Sequence, residues 1–384
     1  MSLKHRGPLV LVTSSFPISS DGSEAAGSFV ADLAHELGKH IAVRVVAPGR
    51  NAAREHWSDG IEVFRYTSPA RPLSQLQAWR PDDLYWIMRT LRGGLNATRA
   101  AVTDDVTHVL ALWGLPCGEW ARRATRERGI GYSVWMLGSD VWSLGRVPLL
   151  RSMLRRVIRH STRAYADGYL LAEDARRIGG RPVEFLPSTR TINLIDPPPP
   201  RQQPPYRLLF LGRWHPNKGV DLLLDALKLL DDEDWSHIAR VEIQGGGPLD
   251  AQVYKAVAEL QKLGRPVQAG RFLTKSEAEV AIVSADWILI PSRIESIPVV
   301  FSDAMKLGRP VVATPVGDLP RLVAGEPACG VLAEAGTAMA IAAAMRKATA
   351  TTTLDYQLGV RAQAAAFALP TIATRIVHEV AHHG

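Results

Sequence analysis

Two basic and two acidic residues in the second half of this 384-residue chain are spaced to hold a ligand rich in phosphate and hydroxyl groups: Arg213, Lys218, Glu295 and Asp303. Leu208-Leu-Phe-Leu-Gly-Arg213 has the composition of a buried strand that emerges at a glycine. Trp214-His-Pro-Asn-Lys218-Gly219 follows and leads into a helical pattern. A strand, a loop and a helix start in that order favour phosphate, because a helix amino end offers free N–H groups and the positive end of its dipole. Arginine adds a fork for phosphate oxygens and lysine a point charge. The spacing is not that of a Walker loop: the glycines are misplaced, and Gly219 stands where Ser or Thr would coordinate magnesium. A P-loop ATPase is thereby disfavoured.

Val241-Glu-Ile-Gln-Gly245-Gly-Gly-Pro248 reads as another strand ending in glycines ahead of a helix. Such a run lets backbone approach a ligand closely, and it serves a tight turn equally well. The more specific element is Ile290-Pro-Ser-Arg-Ile-Glu295-Ser-Ile-Pro298-Val-Val-Phe-Ser-Asp303-Ala-Met, a strand, a loop and a helix. Pro298 suits a first helical turn, where a missing N–H costs nothing. Two acids beside a phosphate site would repel phosphate, so their useful task is to accept hydrogen bonds from sugar hydroxyls. The plainer roles are a helix cap for Glu295 and a solvated helix face for Asp303.

The elements that must position these residues alternate. Strand patterns at Leu9 to Thr13, Ala42 to Ala47, Thr107 to Leu112 and Gly131 to Trp135 are interleaved with helical ones such as Phe29 to Gly38. After Leu186 the chain breaks at Asp196-Pro-Pro-Pro-Pro200 and Pro204-Pro205, which enter neither helix nor sheet interior. The alternation then restarts: strands at Tyr206 to Leu211, Val241 to Gln244, Trp287 to Ile290 and Val311 to Ala313, and helices at Gly219 to Leu230 and Leu249 to Leu263. The length also suits two domains. The expected fold class is α/β: two Rossmann-like domains facing across a cleft, with ligand at the carboxyl ends of the strands.

Apolar residues make up 46% and charged residues 22%, which places the chain among globular proteins rather than disordered ones. No run approaches the ~20 apolar residues of a spanning helix. Leu9 to Val12 is shorter than a signal-peptide core and reads as a buried strand. Cys117 and Cys329 supply neither a disulfide framework nor a cysteine zinc site, which fits the reducing cytoplasm.

A net charge of +7 calls for anionic partners: nucleic acid, a phosphorylated substrate or acidic lipid. The arginines do not alternate with aromatics as a stacking platform would, which argues against nucleic acid. They concentrate between Arg146 and Arg163, around Leu149, Leu150, Met153, Leu154, Val157 and Ile158 at helical spacing. Such a helix either lies on an acidic membrane surface, peripheral on its cytoplasmic face, or packs on its own domain. Near the carboxyl end, His378-Glu379-Val380-Ala381-His382 fits a helical zinc-protease pattern, but only His383 and Gly384 follow to supply a third ligand. A polar face on a closing helix, with Ile372, Ile376, Val377 and Val380 opposite, is the simpler reading.

Taken in order, Gly212-Arg213 with Lys218-Gly219, Gly245-Gly-Gly-Pro248, and Glu295 followed by Asp303 resemble the signatures of the family-4 retaining glycosyltransferases, which have the GT-B fold. Weaker matches at Phe16-Pro17, Gly27-Ser-Phe-Val, Gly138-Ser-Asp140 and Pro315-Val-Gly-Asp318 extend the resemblance along the chain. It implies an acceptor domain over residues 1–190, rejoined by a helix at about 368–384, a linker over 191–205 and a donor domain over 206–367. It implies a UDP- or GDP-sugar donor, a glycan or lipid-linked acceptor, and no metal or other cofactor. Arg213 and Lys218 would contact the donor diphosphate, Glu295 the sugar hydroxyls and Asp303 the ribose. Gly212, Gly246, Gly247 and Val299 would line the donor, and Arg271-Phe272-Leu273 would meet its base. Gly27 resembles the amino-domain glycine near the reacting centre. The family usually has glutamate where Asp303 stands, and many members have histidine where this chain has Leu137. Gly138, Ser139 and Asp140 are the remaining candidates in that region.

Overall fold

Short runs of β-branched and leucine residues bounded by glycine or polar turns become the strands of two parallel sheets in a computed structural model, which describes residues 7–18, 27–71, 73, 76–77 and 79–381. The chain divides into two units, Met1–Thr191 with Leu369–Gly384, and Ile192–Ala368.

In the first unit, β1 (Leu9–Val12), β2 (Val43–Gly49), β3 (Ala53–Ser58), β4 (Ile61–Thr67), β5 (His108–Leu112), β6 (Tyr132–Met136), β7 (Ala164–Ala166) and β8 (Glu184–Phe185) form one sheet. Its order is β3-β4-β2-β1-β5-β6-β7-β8, and only the β3–β4 pair is antiparallel. Because parallel strands are covered on both faces, their sequences are apolar throughout rather than alternating; Leu9, Val10, Leu11 and Val12 are all fully buried. Helix Ser28–Gly38 and the terminal helix Leu369–Ala381 cover one face, the latter through Leu369, Ile372, Ala373, Ile376, Val377 and Val380. The other face packs against helices Pro81–Ala101, Glu119–Arg126, Pro148–His160 and Tyr169–Gly179.

Helix Pro148–His160 spends its apolar stripe on this core, with Leu154, Val157 and Ile158 fully buried and Arg151, Arg155, Arg156 and Arg159 exposed. That stripe is therefore not free to enter a membrane. No described helix is long and apolar enough to cross one. In the terminal helix, Glu379 accepts from Tyr165 Oη and pairs with Arg375 at 2.9 Å, while His382 lies outside the described residues. The glutamate is thus held in an ion-pair network, as a polar helix face would be.

The second unit has β9 (Tyr206–Arg213), β10 (Ile238–Gly246), β11 (Val267–Gly270), β12 (Trp287–Ile290), β13 (Val311–Ala313) and β14 (Gly330–Leu332), all parallel, in the order β11-β10-β9-β12-β13-β14. This is the order of a dinucleotide-binding sheet, whose direction of growth reverses between β9 and β12. Proline keeps the stretch 192–205, which belongs to the second unit, out of helix and sheet, and other side chains of that unit strap it down. Arg309, wholly buried, donates to Pro198 O at 2.7 Å, and Asp286 accepts from Arg201 N at 2.9 Å.

Asp286 is fully buried at the start of β12 and also takes Arg207 Nη2 at 2.8 Å, Arg207 Nε at 3.0 Å and Arg207 N at 2.8 Å. Burial alone would raise its carboxyl, but these donors outweigh it and hold the group below the usual carboxylate range. A depressed pKa contributes stability above the unfolded carboxylate range, and that contribution fades as pH falls through it. Asp286→Ala should therefore cost about 3 kcal/mol at neutral pH. Urea unfolding followed against pH should show the gap from wild type narrowing below about pH 4; a gap of constant size would contradict the assignment.

Candidate functional site

β9 and β12 are neighbours at the switch point of the second sheet, and a loop follows the carboxyl end of each. The loop after β9 makes a single turn, Pro216–Lys218, started by His215, whose Nδ1 accepts from Asn217 N at 3.2 Å. Gly219 ends that turn at φ 69° and opens helix Val220–Lys228. A Cβ at Gly219 would lie 1.8 Å from Pro291 O in the loop after β12, so glycine lets the two loops touch.

Arg293 completes the contact. Its N–H donates to Asn217 O at 2.8 Å, and one guanidinium nitrogen reaches Pro216 O at 2.6 Å. The same guanidinium forks onto Asp221, in the first turn of helix Val220–Lys228, at 2.8 and 2.7 Å. Burial would raise the Asp221 carboxyl, but Arg293 holds it below its ordinary value. On the far side, Gly317 at φ 55° brings its loop against Glu295, where a Cβ would lie 2.2 Å from Glu295 O, and Asp318 N donates to Ser296 O at 3.2 Å.

These backbone contacts bring Lys218 and Glu295 into a direct ion pair, although 77 positions separate them. Arg213, at the end of β9, is exposed and makes no ion pair among the described residues. Gly212 and Arg213 pair in register with Gly245 and Gly246 of β10. A side chain at Gly247 would meet Arg213 Cγ at 3.3 Å, and one at Gly246 would meet the Phe272 ring at 2.8 Å. The glycine run therefore leaves room for an arginine stem and a half-exposed aromatic ring.

Other expected residues are placed differently. Asp303 does not lie on a solvated helix face: it is 3% exposed within helix Val299–Lys306 and pairs with the partly buried Lys306 at 3.6 Å. Pro298 lies just before that helix rather than in its first turn, and Val299 is its exposed first residue. Arg271 pairs with Glu277 at 2.6 Å and bonds Phe272 O at 2.7 Å. Hydrogen bonds from Arg271 and Thr274 lower the Glu277 carboxyl to about 2. Arg271 thus braces the loop, and Phe272 is its exposed member, 59% accessible.

In the first unit, Gly27 adopts φ 76°, and a Cβ there would lie 2.6 Å from Phe16 N. Asp140 is fully buried and accepts from Gly114 N at 2.6 Å and from Gly138 N and Val141 N at 3.1 Å, joining the loops after β5 and β6. Burial pushes its carboxyl up, and the backbone donors offset this only in part. Ser139 is exposed, and Leu137 packs against the core. Sequence reasoning missed Asp221 and Arg293, since nothing local marks distant charges as partners. It also missed Trp113, which follows β5 beside the first sheet's switch point and takes φ 73°, a strained value for an aromatic residue.

Comparison with known proteins places this geometry. Residues 205–351 match the family described as Glycosyl transferases group 1. A D-inositol 3-phosphate glycosyltransferase from Corynebacterium glutamicum is 36% identical over 121 residues, covering 30% of this chain and 28% of that protein. The amylovoran biosynthesis glycosyltransferase AmsK of Erwinia amylovora is 31% identical over 145 residues, covering 36% of this chain and 35% of that protein. The chain therefore matches only about a third of these relatives' length. Among solved structures, a sucrose-phosphate synthase from Thermosynechococcus elongatus aligns over 98% of this chain and 99% of its own with TM-score 0.73 and 17% identity. Anabaena HepE, solved with UDP-glucose, aligns over 98% of this chain and 100% of its own with TM-score 0.65 and 14% identity. At these identities the likeness concerns the fold, which is the expected GT-B fold of two Rossmann-like domains.

The close approach at Gly219 separates two glycine variants. Gly264, also left-handed at φ 75°, faces open space. Gly264→Ala should cost about 1 kcal/mol of stability for the left-handed backbone alone. Gly219→Ala adds the collision with Pro291 and should cost at least about 2 kcal/mol more. Equal losses in urea unfolding would show that the loops are not in contact.

Proposed function

We propose that the chain, whose residues 205–351 carry a glycosyl transferase group 1 domain on a GT-B fold, moves a hexose from a nucleotide-diphosphate sugar to a glycan or lipid-linked acceptor with retention of configuration. The observation that carries this reading is the placement of Lys218, Glu295 and Arg213 together at the switch point of a dinucleotide-type sheet. Arg213 forks onto the diphosphate, and Lys218 adds a point charge beside it. Glu295 accepts hydrogen bonds from hydroxyls of the transferred sugar, oriented by the lysine it already touches. Phe272 and the backbone of the glycine run receive the nucleoside of a UDP- or GDP-sugar, uridine or guanosine.

In this scheme the departing phosphate oxygen takes the acceptor proton while the acceptor attacks from the face that the nucleotide leaves. The protein's main contribution is to stabilise charge growing on the diphosphate. Arg213 and Lys218 do so without a metal ion or other cofactor. Free thiols at Cys117 and Cys329, both buried, suit a cytoplasmic protein. A second reading, a nucleotide-sugar-binding scaffold with impaired catalysis, is favoured by one observation. Asp140 is committed to backbone N–H groups and Leu137 is apolar, so neither is free to assist the reacting centre from the first unit.

A screen of UDP-, GDP- and ADP-sugars for release of free nucleotide should identify a donor, and the product should keep the donor's anomeric configuration. Lys218→Ala and Arg213→Ala should each lower turnover by roughly 100- to 1000-fold, and Glu295→Ala should nearly abolish it. An inverted product, or near-normal rates in the variants, would overturn the reading. Donor binding without turnover under every acceptor tried would favour the scaffold.

A further inference from the structure

The sheet face of the first unit that carries helices Pro81–Ala101, Glu119–Arg126, Pro148–His160 and Tyr169–Gly179 turns their outer sides to solvent together, since each presses its inner side on the same core. Charge on those outer sides is lopsided. In helix Pro148–His160, Arg155, Arg156 and Arg159 are exposed and have no acidic partner among the described residues. Arg92, Arg126 and Arg176 on the neighbouring helices are likewise exposed and without one. The same helices also carry paired surface arginines, Arg99 with Glu127 and Arg177 with Asp174, so the arginines without an acidic partner are an excess of positive charge on this face.

The first of these helices exposes large apolar groups near its start: Met88 and Tyr85 are 61% and 56% accessible, and Trp79, two residues before Pro81, is 80% accessible. Tyr85, Met88, Arg89 and Arg92 follow at i, i+3, i+4 and i+7, which aligns them along the outer stripe of helix Pro81–Ala101. Arg89 lies 5.9 Å from the Tyr85 ring centroid and 5.6 Å from that of Trp86. Leu149, at the start of the arginine-bearing helix, is a further exposed apolar residue, 72% accessible.

We infer that this face is a docking surface for an anionic lipid bilayer, with Trp79, Tyr85 and Met88 entering the headgroup boundary and the unpaired arginines meeting lipid phosphates. Unlike the reading of helix Pro148–His160 as an inserting amphipathic helix, this one uses that helix only for its charge, because its apolar stripe is already in the core. Charge complementarity selects an acidic partner. The exposed indole, phenol and thioether select a partner with an apolar interior, which soluble polyanions lack. Amphipathic Trp and Tyr rings are the groups that settle at such a boundary. The inference stands apart from the sugar-transfer reading, and its test needs no donor.

Full-length protein is to be co-sedimented with phosphatidylcholine vesicles, alone and with a third of the lipid replaced by phosphatidylglycerol. Binding should require the anionic lipid and weaken as salt shortens the Debye length. The triple variant Arg155→Glu, Arg156→Glu, Arg159→Glu should reduce partitioning by roughly 100-fold. Trp79→Ser with Met88→Ser should reduce it by about tenfold. All five positions are exposed, so unchanged circular dichroism and unfolding curves should accompany the losses. Equal binding to neutral vesicles would overturn the inference. So would an unaltered Trp79/Met88 variant together with equally strong retention on heparin or DNA, which would assign the face to a soluble polyanion.

Discussion

The contact between the loops after β9 and β12 is the constraint on which the candidate site depends. Lys218 and Glu295 come from segments with no local reason to meet. They pair because Gly219 admits Pro291 O at a distance no side chain would allow, and because Arg293 bonds both the Asn217 turn and Asp221. One salt bridge with 37% and 13% exposed partners contributes little to stability by itself. Its worth lies in position: a cation and an anion are fixed beside each other where the sheet reverses direction, while Arg213 is left uncommitted.

The first unit uses the same principle with different chemistry. There a buried carboxylate, Asp140, gathers N–H groups from the ends of β5 and β6, fixing two loops near the strained Trp113. In both units, charge that looks functional in isolation is partly structural. Asp140 and Asp303 are buried among their own partners, and Arg271 braces a loop against Glu277. Among the described residues of the candidate site, those open to a ligand are Arg213, Phe272 and the exposed Val299, together with the Lys218–Glu295 pair.

Much of this was legible in the sequence. Buried parallel strands announce themselves as short apolar runs, and Trp287–Ile290 and Val311–Ala313 stand where the pattern places them. The terminal helix shows its core face through Ile372, Ile376, Val377 and Val380. Less was visible where pairing decides structure: β3, β7, β8 and β14 are short or polar and become strands only beside their neighbours. The Asp221–Arg293 fork lies across 72 positions, and burial of Asp303 depends on a helix packing against partners that local spacing does not specify. Amphipathicity identified helix Pro148–His160 but could not say what its apolar stripe meets.

The central claim is that a diphosphate is held by Arg213 and Lys218. Its most direct test is calorimetric titration of the wild type and the Arg213→Ala/Lys218→Ala double variant with UDP and GDP and with the corresponding monophosphates. Charge-assisted bonds of about 1.5–3 kcal/mol should make the preferred diphosphate bind wild type at least about tenfold more tightly than its monophosphate. In the double variant that difference should vanish while monophosphate affinity changes little. Equal wild-type affinity for mono- and diphosphate, or a difference that survives the double substitution, would contradict the account.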